Sequence, residues 1–283
     1  MALHVVKLAC ELPKARSVPL SQWDCVELAR KLIADKVVTT ISRDTIRRIL
    51  ANNHLKPWRY KMWLSTKVVR DAVYAAAVRA IADLYTRLLA ANEIVLSVDE
   101  KTNMQPRCRS TPTLGARPGD PVRLEFEYER AGALHLFAAF DTRSGKVTGL
   151  CSTNKRAEEF VSFLEHIDES TPATVTTIHL VLDNLRVHKS KRVNAWLAEH
   201  PRFQFHFPPV HCSWMNQVEQ WFSILERKAI RIVDFLDLAD LEDRILGYVR
   251  HWNEHAHPFN WTTASVAKVL AKCPAAEAVL AVT

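Results

Sequence analysis

The chain has little glycine, few and scattered cysteines, and no long apolar run, and each shortage closes off a class of function. Six glycines in 283 residues, none clustered between a strand and a helix, leave no glycine-rich loop to cradle a nucleotide's phosphates, so chemistry driven by a nucleotide cofactor is disfavoured. The six cysteines, at positions 10, 25, 108, 151, 212 and 273, form no CxxC pair. That spacing argues against a thiolate zinc site and a disulfide framework, and it fits a reducing cytoplasm. No run of about 18 apolar residues is present, so no membrane-spanning helix is expected. The opening MALHVVKLACELPKAR lacks the basic-then-apolar order and small-residue cleavage site of a secretory signal. Internal repeats and low-complexity segments are also missing. The expectation is a cytoplasmic protein with no membrane partner.

Charge is present, but unevenly. The net charge of +7 divides into 16 Lys/Arg against 7 Asp/Glu over residues 1–92, and 22 against 24 over 93–283. A basic arm on a near-neutral domain of ample apolar content suits nucleic-acid binding, although Lys/Arg-rich solvated helix faces give the same numbers. Within the arm, Leu20–Ala34 has Trp23, Val26, Leu28, Leu32 and Ile33 at helical spacing, with Ser21 as a cap and Asp24 in the first turn. After the connector DKVVTTI, Ser42 caps a second short helix. Ile46, Ile49 and Leu50 face inward there, and Arg43, Arg47 and Arg48 outward. Two such helices resemble a helix-turn-helix whose second helix enters the major groove. The following LKPWRYKMW interleaves Lys56, Arg59 and Lys61 with aromatics, as a wing contacting the DNA backbone or as a basic loop packed on the hairpin. Residues 65–91 read as one long Ala-rich helix joining two domains, with Val69, Val73, Ala77, Ile81, Leu84 and Leu88 as its apolar stripe.

The second half alternates strand and helix. Ile94–Val98 is a buried strand delivering Asp99 and Glu100. Gln105–Pro121 is loop. Val122–Arg130 and Ala133–Asp141 are strands joined by a turn at Ala131-Gly132, and Lys146–Cys151 is a third. Lys155–Ile167 is a helix, and Thr176–Leu182 is a strand presenting Asp183. Arg186–His200 is a helix and Phe203–Phe207 a short strand. A helix bearing Glu219 and a mostly helical tail from Leu238 complete the chain. This order predicts an α/β fold with a ribonuclease-H-like mixed sheet and flanking helices, preceded by a small all-α helix-turn-helix domain. The expected domains are 1–64 for DNA binding, 65–92 as helical linker and 93–283 for catalysis. A helical crossover returns the Asp183 strand parallel to the Asp99 strand, so both acids emerge at one sheet edge.

Asp99, Asp183 and Glu219 stand where packing alone does not place charge: two end apolar runs, and the third borders the stripe Val218, Trp221, Leu225. An unpaired carboxylate there is costly, and three together repel one another unless a cation neutralises them. Oxygen ligands without clustered Cys or His favour Mg²⁺ or Mn²⁺. Two such ions about 4 Å apart would activate a water or a 3′-hydroxyl and stabilise the leaving oxygen of a phosphodiester. Taken singly, each acid is as well explained by a loop cap or an ion pair. Taken together, the three point to a metal site. Glu100 points to the opposite strand face and reads as structural or supporting. Asn184 and His188 suit orientation of a phosphate or metal-bound water, or a helix start and a solvent-facing histidine. HWNEHAH places His251 and His255 one helical turn apart near His257, but without the spacing of HExxH.

The blocks SVDEKTNMQ, EYERAGALHLFAAFDTRSGKV, HLVLDNLRVHKSKRV, WLAEHPRFQFHFPPVHCSWMNQVEQWFS and HPFNWT together resemble the bacterial DDE transposases of the insertion-sequence 630 family, relatives of the mariner elements. The resemblance spans residues 20–270. It implies a ribonuclease-H-like catalytic domain behind helix-turn-helix domains, in a nucleoid-associated bacterial protein. The implied activity is Mg²⁺-dependent cleavage at terminal inverted repeats and joining to double-stranded target DNA at TA, with a homodimer in the DNA complex. Asp99 matches the first acid in the DEKT block, Asp183 the second in LDN, and Glu219 the third in SWMNQVE. The 35 residues between Asp183 and Glu219 resemble the family's interval. Asn184, His188, Ser213 and Asn216 fall on the same blocks as supporting residues. Such proteins usually carry two helix-turn-helix subdomains; one, Leu20–Asn52, is legible here, as expected of a chain that begins inside the first. The family's Arg-His-Gly-Thr turn appears as Arg130-Ala131-Gly132-Ala133. Two other readings stay open: a co-opted remnant that binds DNA as a repressor, and a ribonuclease-H-like nuclease of RNA or junctions.

Overall fold

A computed structural model of the protein describes residues 1–60, 71–210 and 212–261, together with Ala264 and Ala267. The chain divides into two compact units, Met1–Ser65 and Thr66–Thr283.

The first unit is helical. Helix α1 (Ala2–Cys10), which the sequence pattern did not announce, packs with α2 (Cys25–Ala34) and α3 (Arg43–Asn52) around Val5, Leu8, Trp23, Leu28, Leu32, Ile46 and Leu50. The cap of α2 is Asp24, not Ser21: its Oδ1 accepts from the Val26 and Glu27 amides at 2.7 and 2.8 Å, which satisfies two of the free N–H groups at the helix start. Ser42 caps α3 as expected, accepting from the Thr45 amide at 3.1 Å.

The second unit is built on a five-stranded sheet. Its strands are β1 (Glu93–Met104), β4 (Leu134–Asp141), β5 (Val147–Ser152), β6 (Thr177–Leu182) and β7 (Phe203–His206), in the order β5-β4-β1-β6-β7. The pairs β1–β4 and β4–β5 are antiparallel, whereas β1–β6 and β6–β7 are parallel. An antiparallel meander extended by a helical crossover is the ribonuclease-H-like arrangement. The crossover helix α5 (Ala157–Ser170) and α6 (Lys191–Glu199) cover one face through Phe160, Phe163, Leu164, Ile167, Val193 and Trp196, which meet Leu96, Val98 and Phe137. On the opposite face α7 (Gln217–Leu225) and α8 (Leu238–Glu254) pack Val218, Trp221, Leu225, Leu241 and Ile245 onto Leu136, Ala138 and Phe140. Alternate residues of one strand thus enter different cores.

Helix α4 (Ala72–Thr86) belongs to this second unit. It buries Tyr74, Val78, Ile81 and Tyr85 against Val95, Val181 and Met215. The stripe expected from the sequence is therefore rotated: Ile81 and Leu84 are buried, but Val73 and Leu88 are 75% and 96% exposed. The helix stops at Thr86 rather than continuing to Ala91, because Arg87 turns extended; residues 65–70 of the expected helix lie outside the described residues.

The expected strand Val122–Arg130 is mostly irregular. Only β3, Glu129–Arg130, is strand, and it pairs with β2, Arg107–Cys108. The apolar–polar alternation that predicted a long strand is real, but among the described residues no element covers it, and Val122, Leu124, Phe126 and Tyr128 are exposed. The expected helix Arg186–His200 begins late, after a 3₁₀ turn at Val187–Lys189, with Ser190 capping α6 through the Val193 amide.

Candidate active site

Val98 and Leu182 are the last register partners of the parallel pair β1–β6. Asp99 and Asp183 each follow by one residue, so they stand side by side where strands about 4.8 Å apart end their pairing. Asp99 shares the strand face of Val95 and Ser97, the face met by α4 and α7. Glu219 arrives from the first turn of α7, where the helix N-terminus favours a carboxylate.

Asn216 ties these elements together. It precedes α7 as its N-cap and is only 2% exposed. Its Nδ2 donates to the Val98 carbonyl at 2.9 Å and to Asp99 Oδ2 at 3.2 Å, while its Oδ1 accepts from the Ser97 hydroxyl. Ser97 Oγ in turn accepts from the Val218 amide at 3.0 Å. The start of α7, and with it Glu219, is thereby fixed to the strand that carries Asp99. From the other side, Tyr85 of α4 donates its hydroxyl to the Met215 carbonyl at 2.8 Å. Sequence reasoning missed Ser97; its only signal is a hydroxyl inside the apolar run IVLSV.

Burial pushes the Asp99 carboxyl up to about 7, with repulsion from Glu100, Asp183 and Glu219 adding to it and a hydrogen bond from the Glu100 amide opposing it. Glu219 is raised too, by burial first and then by Asp183, against a hydrogen bond to Ser213. Asp183 differs: burial works to raise it, but hydrogen bonds from His188 and the Leu185 amide hold it below the ordinary carboxylate range. His188 is raised to about 10, because its bonds to Asp183 and Glu100 outweigh the burial that opposes its charge. A divalent cation between the acids would offset their repulsion, and an all-oxygen donor set suits Mg²⁺ or Mn²⁺. Among the described residues no group of three or more Asp, Glu, His or Cys side chains is placed to hold a metal ion as they stand. An open set is compatible with Mg²⁺, which keeps several waters and takes one or two protein carboxylates.

The remaining sequence candidates separate. His188 does not face solvent; it is 1% exposed and lies beneath Asp183. Asn184 is exposed and holds the neighbouring loop, donating to the Pro208 carbonyl at 2.6 Å and accepting from Lys189 Nζ at 2.7 Å. Ser213 is exposed and bonds Glu219. Lys101, two residues beyond Asp99, pairs with Glu226 at 3.0 Å. In the first unit Arg43, Arg47 and Arg48 are exposed on α3, opposite buried Ile46 and Leu50, and Lys56 and Arg59 are exposed just after it; Lys61 lies outside the described residues. His251 and His255 approach with ring centroids 5.9 Å apart, while His257 packs on Trp252.

Comparison with known proteins agrees with this architecture. Residues 94–242, just over half of the chain, match the family described as DDE superfamily endonuclease. A curated relative from Shigella sonnei, the insertion element IS630 uncharacterized 39 kDa protein, is 32% identical over 143 residues, covering 50% of this chain and 38% of that protein. The chain thus spans well under half the length of the curated relative it matches. The solved Mos1 transposase paired-end complex with left transposon end superposes with a TM-score of 0.55 at 11% identity, covering 91% of this chain and 72% of that one. A Mos1 mariner paired-end complex with Mn gives 0.50 at 12% identity, covering 81% and 71%. These structures establish likeness of fold. Asp99, Asp183 and Glu219 all fall inside the matched segment, and the chain belongs to the DDE superfamily endonuclease family.

Proposed function

We propose that the protein is a transposase, a metal-dependent DNA nuclease and strand transferase acting on the inverted-repeat ends of its own element. What supports this reading is the placement of Asp99 and Asp183 just past the last paired residues of the neighbouring strands β1 and β6, with Glu219 in the first turn of α7, within a segment that matches a DDE endonuclease family. The likeness of fold to Mos1 end complexes supports a DNA substrate.

In this proposal Asp99, Asp183 and Glu219 hold Mg²⁺ or Mn²⁺, two ions per site. When bound, the ions supply Lewis-acid activation of the attacking oxygen and charge stabilisation at the leaving oxygen. The chain's own contribution is placement. Asn216 holds the Asp99 carboxylate through Oδ2, and the α7 N-terminus presents Glu219 toward the strand ends. In the first unit, Arg43, Arg47, Arg48, Lys56, Arg59 and Lys61 contact duplex DNA, with α3 as the groove helix. Assembly on paired ends would be as a homodimer, with TA as target.

The test uses DNA carrying the gene's natural flanks, incubated with the protein and Mg²⁺ or Mn²⁺. Nicks mapping to inverted repeats, themselves bounded by TA duplications, are the expected result. End binding without cleavage in either metal would favour a co-opted repressor. Structure-selective cutting with no preference for the repeats would favour a junction or RNA nuclease.

A further inference from the structure

Directly behind Asp183 lies a pair of groups that stability alone does not call for. Glu100 extends from the face of β1 opposite Asp99, toward the core beneath α5, and its side chain is 6% exposed. It meets His188 Nε2 through Oε1 at 2.9 Å. The His188 side chain has no exposed surface, and its ring rests on Phe160 with centroids 4.4 Å apart. The other ring nitrogen, Nδ1, lies 3.1 Å from Asp183 Oδ1 and 3.2 Å from the Asp183 carbonyl oxygen. Asp183 Oδ1 also accepts from the Leu185 amide at 3.0 Å. One carboxylate oxygen is therefore held from two sides, and among the described residues Oδ2 has no hydrogen-bond partner. A buried acid–imidazole pair is weak as a source of stability, since an apolar pair of similar volume often does as well. Its geometry has a use only if the exact direction of the Asp183 carboxylate matters.

We propose that Glu100 and His188 are positioning residues, a buried brace that reaches through the sheet and fixes the Asp183 carboxylate so that Oδ2 faces Asp99 and Glu219. Glu100 sets the imidazole plane, the imidazole aims Nδ1–H at Asp183, and Asp183 meets the cation already oriented. This rests on the three-acid metal reading and adds to it an outer layer that is invisible at the site's surface. Outer partners of this kind typically change metal affinity 10–100-fold when removed. What matters in such a brace is reach, not charge. A glutamine at position 100 keeps the length and, as donor or acceptor, can still hold the ring with Nδ1–H on Asp183. An aspartate keeps the charge but is one methylene too short.

The experiment compares the parent with Glu100→Gln and Glu100→Asp, two conservative variants. It titrates each with Mn²⁺, following the free-ion electron paramagnetic resonance signal, and records thermal melting alongside. The expected pattern is Mn²⁺ affinity within about threefold of the parent for Glu100→Gln, and at least tenfold weaker for Glu100→Asp. For cleavage, KM for DNA should stay unchanged in Glu100→Asp while kcat falls, since Glu100 is buried on the far sheet face. Equal affinities in all three proteins would overturn the brace. So would the reverse order, which would make charge the relevant property. If melting falls equally in both variants but affinity in neither, the pair is purely structural. A parent that binds no Mn²⁺ would instead remove the metal reading on which the brace rests, and the brace with it.

Discussion

Asn216 carries no charge, yet four polar contacts pass through it or its partner Ser97, joining β1 to the start of α7. Asn216→Ala should leave the Ser97 hydroxyl and the Val98 carbonyl short of partners in a buried place. A loss of about 1–3 kcal/mol of stability is expected, read from chemical denaturation. The same variant should weaken Mn²⁺ binding, because Asp99 loses the contact on Oδ2; unchanged affinity would show that Asp99 needs no such hold. At this scale the sequence was legible where chemistry shows itself locally. Asp99 and Asp183 stand out because each ends an apolar run, and Glu219 because it borders an apolar stripe. Ser97 and Asn216 are 119 positions apart, and no local pattern announces that they meet. His188 could be read from the sequence either as a supporting residue or as a solvent-facing one; what decides its burial, its bond to Glu100, lies 88 positions away.

Among the elements, β6 and β7 share a second histidine pair, His179 Nδ1 and His206 Nε2 at 2.9 Å, with Arg87 and Glu93 beside His179. Burial, followed by the nearness of His179 and Arg87, holds His206 down at about 4. His179 is also lowered, chiefly by burial, although Glu93 pulls the other way. Both folded values lie below the unfolded one near 6.5, so the unfolded chain binds more protons on acidification. Stability from the pair is complete above about pH 6.5 and is lost as pH falls toward 4. Melting temperature followed over that range should decline less steeply in His206→Gln than in the parent. Parallel declines would place the acid sensitivity elsewhere. Strands and helices with strong periodicity, such as β1, β4, β6 and α5, were legible. The alternation in Val122–Tyr128 misled because period-two patterning reports a half-buried surface, and among the described residues nothing covers that segment. On α4, a helix rich in alanine carries several equivalent stripes, and only tertiary packing chose the one with Tyr74, Val78 and Tyr85.

For the molecule as a whole, charge is unevenly divided along the chain. The excess of Lys/Arg lies in the first 92 residues and the acids of the site in the remainder. If the exposed arginines of α3 neutralise phosphates, DNA affinity should fall steeply with salt, by a log–log slope of about 0.9 per contact. Arg47→Ala with Arg48→Ala should shallow that slope by up to about 2; an unchanged slope would detach α3 from the DNA. The charge shift was counted at residue 92, whereas the structure divides after Ser65; α1 was not legible, since its apolar face makes sense only against α2 and α3. In the proposed function Asp99, Asp183 and Glu219 form one metal-dependent phosphodiester site. Its most direct test measures Mg²⁺- and Mn²⁺-dependent nicking of the flanking DNA by the parent and by Asp183→Asn, with DNA binding recorded in parallel. Metal-dependent nicking by the parent, none by the variant, and nearly equal binding by both are expected. A variant that nicks as well as the parent would contradict it.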